Sequence, residues 1–291
     1  MQSTPQSSLE ARQEAFKRFQ EDLQKIRKRM SKVRFKIAVL SGKGGVGKST
    51  VTANLAAAFA MKGYQVGILD ADIHGPTIPK LLGLQGARLE VGPPGIFPVK
   101  GPLGMRIVSV GFLLPSEEVP VVWRGPLKTA AIRQFLGDVV WGSLDFLLID
   151  LPPGTGDEPL SIAQFIPGMS GAIIVTIPSE VSQAVVKKAV IFAHELKVPV
   201  IGILENMSGF ICPNCGAKID IFKTGGGEKI ARELNVPFLG KIPLDPRIVE
   251  DSDAGIPFVV KHPDSSAAKA FMDIVAKVED FLLQGGKKEK P

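Results

Sequence analysis

Two lysines, three hydroxyls and four glycines fall within ten residues, Ser41-Gly42-Lys43-Gly44-Gly45-Val46-Gly47-Lys48-Ser49-Thr50. Glycines at this density let successive backbone N–H groups converge on phosphate oxygens that side chains would otherwise keep away. Lys48 supplies a cation for β- and γ-phosphates, and the Ser49 hydroxyl is a natural Mg²⁺ ligand. The apolar run Ile37-Ala38-Val39-Leu40 comes before, and an alanine-rich run over residues 51–61 follows. Strand, glycine loop and helix start thus arrive in the order a P-loop requires. Two aspartates belong with this candidate nucleotide cradle. Asp150 closes the run Phe146-Leu147-Leu148-Ile149, the placement of an acid that holds Mg²⁺ or its water. Asp72 lies just past the run Val66-Gly67-Ile68-Leu69-Asp70, placed to orient an attacking water or the metal.

A second chemistry is written in Cys212-Pro213-Asn214-Cys215, which holds both cysteines of the chain. Two intervening residues let both thiolates turn to one metal. Two ligands complete neither a tetrahedral zinc site nor an iron–sulfur cluster, which usually take four. His74, His194 and His262 are distant in sequence, whereas two copies of the pair on a two-fold axis supply four thiolates. The count points to a homodimer that shares a metal or a cluster. A structural zinc across the dimer and a dithiol redox pair remain competing readings. A redox pair, however, more typically precedes a helix in a thioredoxin-like fold.

The elements that must position these groups follow from periodicity. Apolar strands are expected over residues 37–40, 65–70, 144–150, 172–177, 200–204 and 238–242. Helices are expected between them, over residues 51–61, 127–140, 182–196, 228–234 and 265–283. Such alternation predicts an α/β fold with a single doubly wound, mostly parallel sheet covered on both faces. Ligands bind beyond the carboxyl ends of strands in such sheets, where the glycine loop, Asp72 and Asp150 all fall. Segments 96–99 and 105–110, flanking Gly101, are expected to pair as a hairpin.

Residues 1–33 read as an N-terminal arm, with a Ser/Gln-rich start over residues 1–8 that composition marks as disordered. An amphipathic helix over residues 9–30 follows, with Phe16, Phe19, Leu23, Ile26 and Met30 at spacings of three and four. The main domain is expected over residues 34–284, with a basic flexible tail at 285–291.

Charge distribution narrows the partners. The net charge is +6, but residues 1–36 carry ten Lys/Arg against four Asp/Glu, and residues 37–286 are slightly acidic. The basicity sits in the ends, so the domain gives no reason to expect nucleic acid. No apolar run is long enough to span a bilayer and the N-terminus lacks a signal-peptide core, so no membrane and a cytoplasmic location are expected. Two cysteines in all also fit a reducing compartment.

Lys43 is one lysine more than a simple phosphate cradle needs. Its loop resembles the deviant Walker A of dimerising ATPases such as the nitrogenase iron protein and the cell-division positioning ATPases. That resemblance implies that Lys43 reaches across a two-fold interface to the partner's nucleotide and that ATP controls a homodimer. It also implies that Asp72 lies near the attacking water and Asp150 near Mg²⁺. Five segments in order then narrow the match: residues 41–50, Asp70-Ala71-Asp72-Ile73-His74-Gly75-Pro76, Asp150-Leu151-Pro152-Pro153-Gly154-Thr155-Gly156-Asp157, Glu205-Asn206-Met207-Ser208 and the cysteine pair. Together they resemble the Mrp/ApbC-type iron–sulfur cluster carrier ATPases over about residues 35–280. The resemblance implies a nitrogenase-iron-protein-like P-loop fold and an ATP-hydrolysing homodimer. It implies a [4Fe–4S] cluster held between subunits by Cys212 and Cys215, received from a donor and passed to apo-proteins. It further implies that Asn206 recognises the adenine edge; the competing reading is a turn residue after a strand. The chain departs from relatives that carry an extra small domain or an N-terminal cysteine cluster, so no second cluster site is expected. A positioning-type ATPase and a metal-insertion chaperone with a structural zinc are the alternatives.

Overall fold

Runs of Val, Ile and Leu without polar alternation cannot expose either face, and here they form a sheet buried on both sides. The computed structural model describes residues 5–73, 75–113, 125–211, 215 and 217–288. In chain order the elements are α1 (Pro5–Met30), β1 (Val33–Ser41), α2 (Lys48–Met61), β2 (Val66–Asp70), α3 (Ile78–Leu81), β3 (Glu90–Gly92), β4 (Gly95–Phe97), β5 (Val99–Lys100) and β6 (Arg106–Ser109). There follow α4 (Gly125–Gly137), β7 (Leu144–Asp150), α5 (Asp157–Gln164), β8 (Gly171–Thr176), α6 (Glu180–Glu195), β9 (Val200–Glu205), β10 (Phe210–Ile211) and β11 (Lys218–Ile219). The last are α7 (Gly226–Glu233), β12 (Phe238–Lys241), α8 (Arg247–Asp253), α9 (Phe258–Lys261) and α10 (Ser266–Lys288).

Eight strands form the main sheet in the order β12-β9-β8-β1-β7-β2-β6-β5. All neighbours run parallel except the edge strand β5, antiparallel to β6. The chain leaves the central β1 toward β2 on one side and later crosses to β8 on the other. This reversal of direction opens a crevice at the carboxyl end of β1. Helix α2 is apolar almost all round, from Val51 to Phe59, and is buried between the sheet and α9 and α10.

The expected hairpin forms only in part. Val99 and Lys100 pair with β6 across the Gly101 turn, whereas Ile96 pairs with Val91 and bridges to Val139. Helix α1 packs along α4 and buries Ile26 and Met30, while Phe16 at the far end is 61% exposed. Its last turn is tied to the sheet by Lys36, a buried lysine of β1 that donates to the carbonyls of Val33 (3.0 Å) and Met30 (3.4 Å). Burial lowers the pKa of that ammonium, whose acceptors are the last carbonyl of α1, at Met30, and the first of β1, at Val33. Helix α10 runs on to Lys288, beyond the expected end at 283. Among the described residues no helix is long and apolar enough to cross a membrane.

Candidate functional site

The parallel register brings the acids together. Asp70 of β2 lies opposite Asp150 of β7, and Asp150 lies opposite Val39 of β1, just before the glycine loop. That loop turns through left-handed backbone at Gly45 (φ 77°) and Gly47 (φ 79°), conformations that favour glycine. Gly47 caps α2, whose first residue is Lys48. Lys48 Nζ lies 2.8 Å from Asp150 Oδ2, and the two side chains are 6% and 0% exposed. Ser49 Oγ donates to the same oxygen at 2.6 Å, and Thr52 Oγ1 donates to Oδ1 at 2.7 Å. Both oxygens of this buried carboxylate are therefore engaged. Above it opens a cavity of about 280 Å³ lined by the loop from Gly44 to Thr50, with Asp72 and Pro153 on its walls. Ser49 Oγ, Asp150 and Asp72 present hard oxygens of the kind Mg²⁺ takes.

The other acids are set by burial. Desolvation, with the charge of Asp150 second, holds the Asp70 carboxyl well above the ordinary carboxylate range, against the hydrogen bond from Ser109 Oγ (2.9 Å). Burial likewise raises the Asp72 carboxyl, opposed by the Lys48 ammonium. Folded Asp70 thus keeps its proton to a higher pH than unfolded Asp70, so its contribution to stability falls as pH rises from the ordinary range through the raised value. Asp70→Asn removes this dependence. Urea unfolding across that window is expected to show a flatter pH profile for the variant, with its advantage growing toward high pH.

A second cavity of about 200 Å³ adjoins the first, sharing Gly47 and Thr50 and walled by Asn206, Met207, Leu244, Asp245 and Phe271. Asn206 Nδ2 donates to the Val46 carbonyl at 2.9 Å, and a Cβ on Gly47 would stand 2.4 Å from that nitrogen. Gly47 is thus required by space as well as by φ. Beyond Asn206, the chain leaves β9 through Met207 (φ 54°) and Gly209 (φ 74°) into the short hairpin of β10 and β11. Cys215 sits there, exposed and with a free thiol. Cys212 and His74 lie outside the described residues. Among the described residues no three His, Cys, Asp or Glu side chains gather as a metal site. Lys43 is half-buried, and the preceding Gly42 lies so close to α6 that a Cβ would stand 2.6 Å from the Val185 carbonyl oxygen.

The structure thus brings the loop, Asp72, Asp150 and Asn206 around one cleft. Sequence reasoning missed Thr52, whose position one turn after Lys48 on the same helical face was the available signal. It also missed the wall over residues 243–253, which carries no local motif.

A family model described as ParA, NUBPL iron-transfer P-loop NTPase, matches residues 32–279. The chain belongs to this family. Among curated relatives of this iron-transfer NTPase, the iron–sulfur cluster carrier protein of Methanocaldococcus jannaschii is 57% identical over 265 residues, covering 91% of this chain and 90% of the relative. That of Saccharolobus solfataricus is 55% identical over 254 residues, covering 87% and 86%. Among solved structures, a nucleotide-binding protein from Archaeoglobus fulgidus in complex with ADP, with cobalt, superposes at a TM-score of 0.73 with 46% identity, covering 81% of this chain and 92% of that one. The septum site-determining protein MinD of Pyrococcus horikoshii, complexed with Mg-ADP, gives 0.60 with 25% identity, over 89% and 100%.

Proposed function

We propose that this NTPase is an ATP-hydrolysing carrier that holds a [4Fe–4S] cluster between two copies of itself, through Cys212 and Cys215 of each. It takes the cluster from a donor and passes it to apo client proteins in the cytoplasm, with no role for nucleic acid or membrane. One observation carries the reading: β9 is followed at once by Asn206, a wall of the nucleotide cleft, and the chain then runs on into the hairpin that bears the exposed Cys215. The names of the archaeal relatives support the cargo.

In this reading the backbone N–H groups over residues 42–50 and the start of α2 receive the phosphates. Lys48 moves from Asp150 to the phosphate oxygens, and Asn206 borders the adenine, where its amide has one donor and one acceptor to offer. Ser49 and Asp150 would hold Mg²⁺, with Asp72 beside them, and a cation there would supply neutralisation of the charge that develops on the transferring phosphate. Asp72, with its raised carboxyl, also orients the attacking water. Lys43 reaches the partner's nucleotide. Residues 1–33 are the arm, 34–284 the ATPase domain and 285–291 a basic tail.

Anaerobic reconstitution with iron and sulfide tests the cargo. The wild type is expected to take up about four iron and four sulfide per dimer, and the Cys212→Ser/Cys215→Ser variant almost none. Equal contents in the two would overturn the proposal, and zinc without sulfide would replace the cluster by a structural metal.

A further inference from the structure

Glu205 is the last residue of β9 and is fully buried, yet the nucleotide reading gives it no task. Its carboxylate accepts from Ser208 Oγ, from the Gly225 backbone N–H (2.8 Å) and from the Gly227 backbone N–H. Ser208 lies just before the hairpin that bears Cys215, and Gly225 and Gly227 lie just after it, at the start of α7. One side chain therefore joins the entry to the hairpin to the start of the helix that follows it. The fit is close: a Cβ on Gly227 would stand 3.1 Å from Glu205 Cβ and Oε2. The two oxygens of the side chain suit the place because all three partners donate to them.

The same residue is tied to the nucleotide cleft through its backbone. Its carbonyl accepts from Ile242 N at 2.8 Å, Ser208 N donates to Ile242 O at 2.9 Å, and Leu244 N donates to Gly209 O at 2.8 Å. Residues 243–245 line the base-side cavity, and so does Asn206, next in the chain. Asn206 and the 243–245 wall are thus joined by backbone hydrogen bonds to the group that clamps the hairpin, a contiguous route for a displacement on nucleotide binding.

We infer that Glu205 is a positioning residue that couples the base end of the nucleotide cleft to the cysteine hairpin, so that nucleotide occupancy changes the setting of Cys215. The inference rests on the carrier reading for its purpose, but the coupling is measurable in protein free of cluster. The probe is iodoacetamide alkylation of Cys215, followed by mass spectrometry, in reduced apo-protein with and without MgATP. In the wild type, MgATP is expected to change the alkylation rate by about five-fold or more, the lower range of ordinary coupling energies.

Glu205→Gln puts an amide N–H₂ against donors. It is expected to bring the ratio below about two-fold while ATP affinity stays within about three-fold of wild type. Ser208→Ala, which keeps the charge and loses one donor, is expected to give an intermediate ratio and serves if Glu205→Gln does not fold. A full wild-type ratio in Glu205→Gln, or in Ser208→Ala where it stands in, overturns the inference. So does a wild-type ratio near one, and iron and sulfide uptake measured separately then tells whether the carrier reading survives.

Discussion

Lys48→Ala is expected to lose ATP binding, with affinity falling by about 100-fold or more in isothermal titration. The magnitude follows from the loss of charge-assisted contacts to two phosphates, about 3 kcal/mol in sum. The structure adds a second consequence. Lys48 is the cation paired with Asp150, a carboxylate that is 0% exposed. Truncation leaves that charge with only the Ser49 and Thr52 hydroxyls, and removing one partner of a buried pair typically costs about 3–5 kcal/mol. The single variant is therefore expected to be less stable as well as unable to bind. Lys48→Ala/Asp150→Asn separates the two effects. The neutral amide removes the stranded charge, so urea stability returns toward wild type, while affinity for ATP stays low when titrated without Mg²⁺, so that loss of the Asp150 carboxylate as a metal ligand does not bear on it. If the double variant regains both, Lys48 acts only through Asp150 and is not the phosphate ligand.

How far the site was legible in the sequence depended on whether each part is a local pattern. The glycine loop is local, because the backbone geometry that receives phosphate requires Gly45 and Gly47 at left-handed φ and Lys48 at the helix start. Asp150 and Asp70 could be placed because an acid closing an apolar run falls at the carboxyl end of a buried parallel strand, although both prove to be buried there. The sheet order was legible in kind, since parallel strands need helical crossovers, but β7 entering between β1 and β2 is a long-range packing outcome.

Other parts have no local signature. The wall of the second cavity over residues 243–253 is a loop and a short helix with no motif of its own, placed there by the fold. Glu205 reads as an ordinary strand end, and only the fold brings Gly225 and Gly227 to its carboxylate. Ile96 was expected in the Gly101 hairpin but pairs with Val91 and bridges to Val139 instead, because the backbone just past α4 takes both of its ladder groups, Ile96 N–H donating to the Asp138 carbonyl and Val140 N–H to the Ile96 carbonyl.

Lys43→Ala is expected to retain ATP binding and to lower turnover by about 10³-fold, the scale on which a cation supplied in trans acts on phosphoryl transfer. Affinity survives because Lys48 and the glycine backbone remain. A fall in turnover alone does not distinguish a lysine acting on its own nucleotide from one acting on its partner's. Mixing does. The Lys43→Ala subunit has an intact cradle and lacks the reaching lysine, whereas the Lys48→Ala/Asp150→Asn subunit has the lysine and lacks the cradle. In a heterodimer of the two, one site of the pair is complete only if Lys43 crosses the two-fold axis. Random assortment makes half the dimers mixed, each with one working site, so an equimolar mixture is expected to reach about a quarter of wild-type turnover. Neither variant alone rises above its low background. If Lys43 serves its own nucleotide, each site of the heterodimer lacks one lysine and the mixture stays at the mean of the two variants. That result would leave the half-buried Lys43 as a local part of the loop and would remove the early lysine as an argument for an ATP-controlled dimer. The cysteine count would then be the only remaining argument for one.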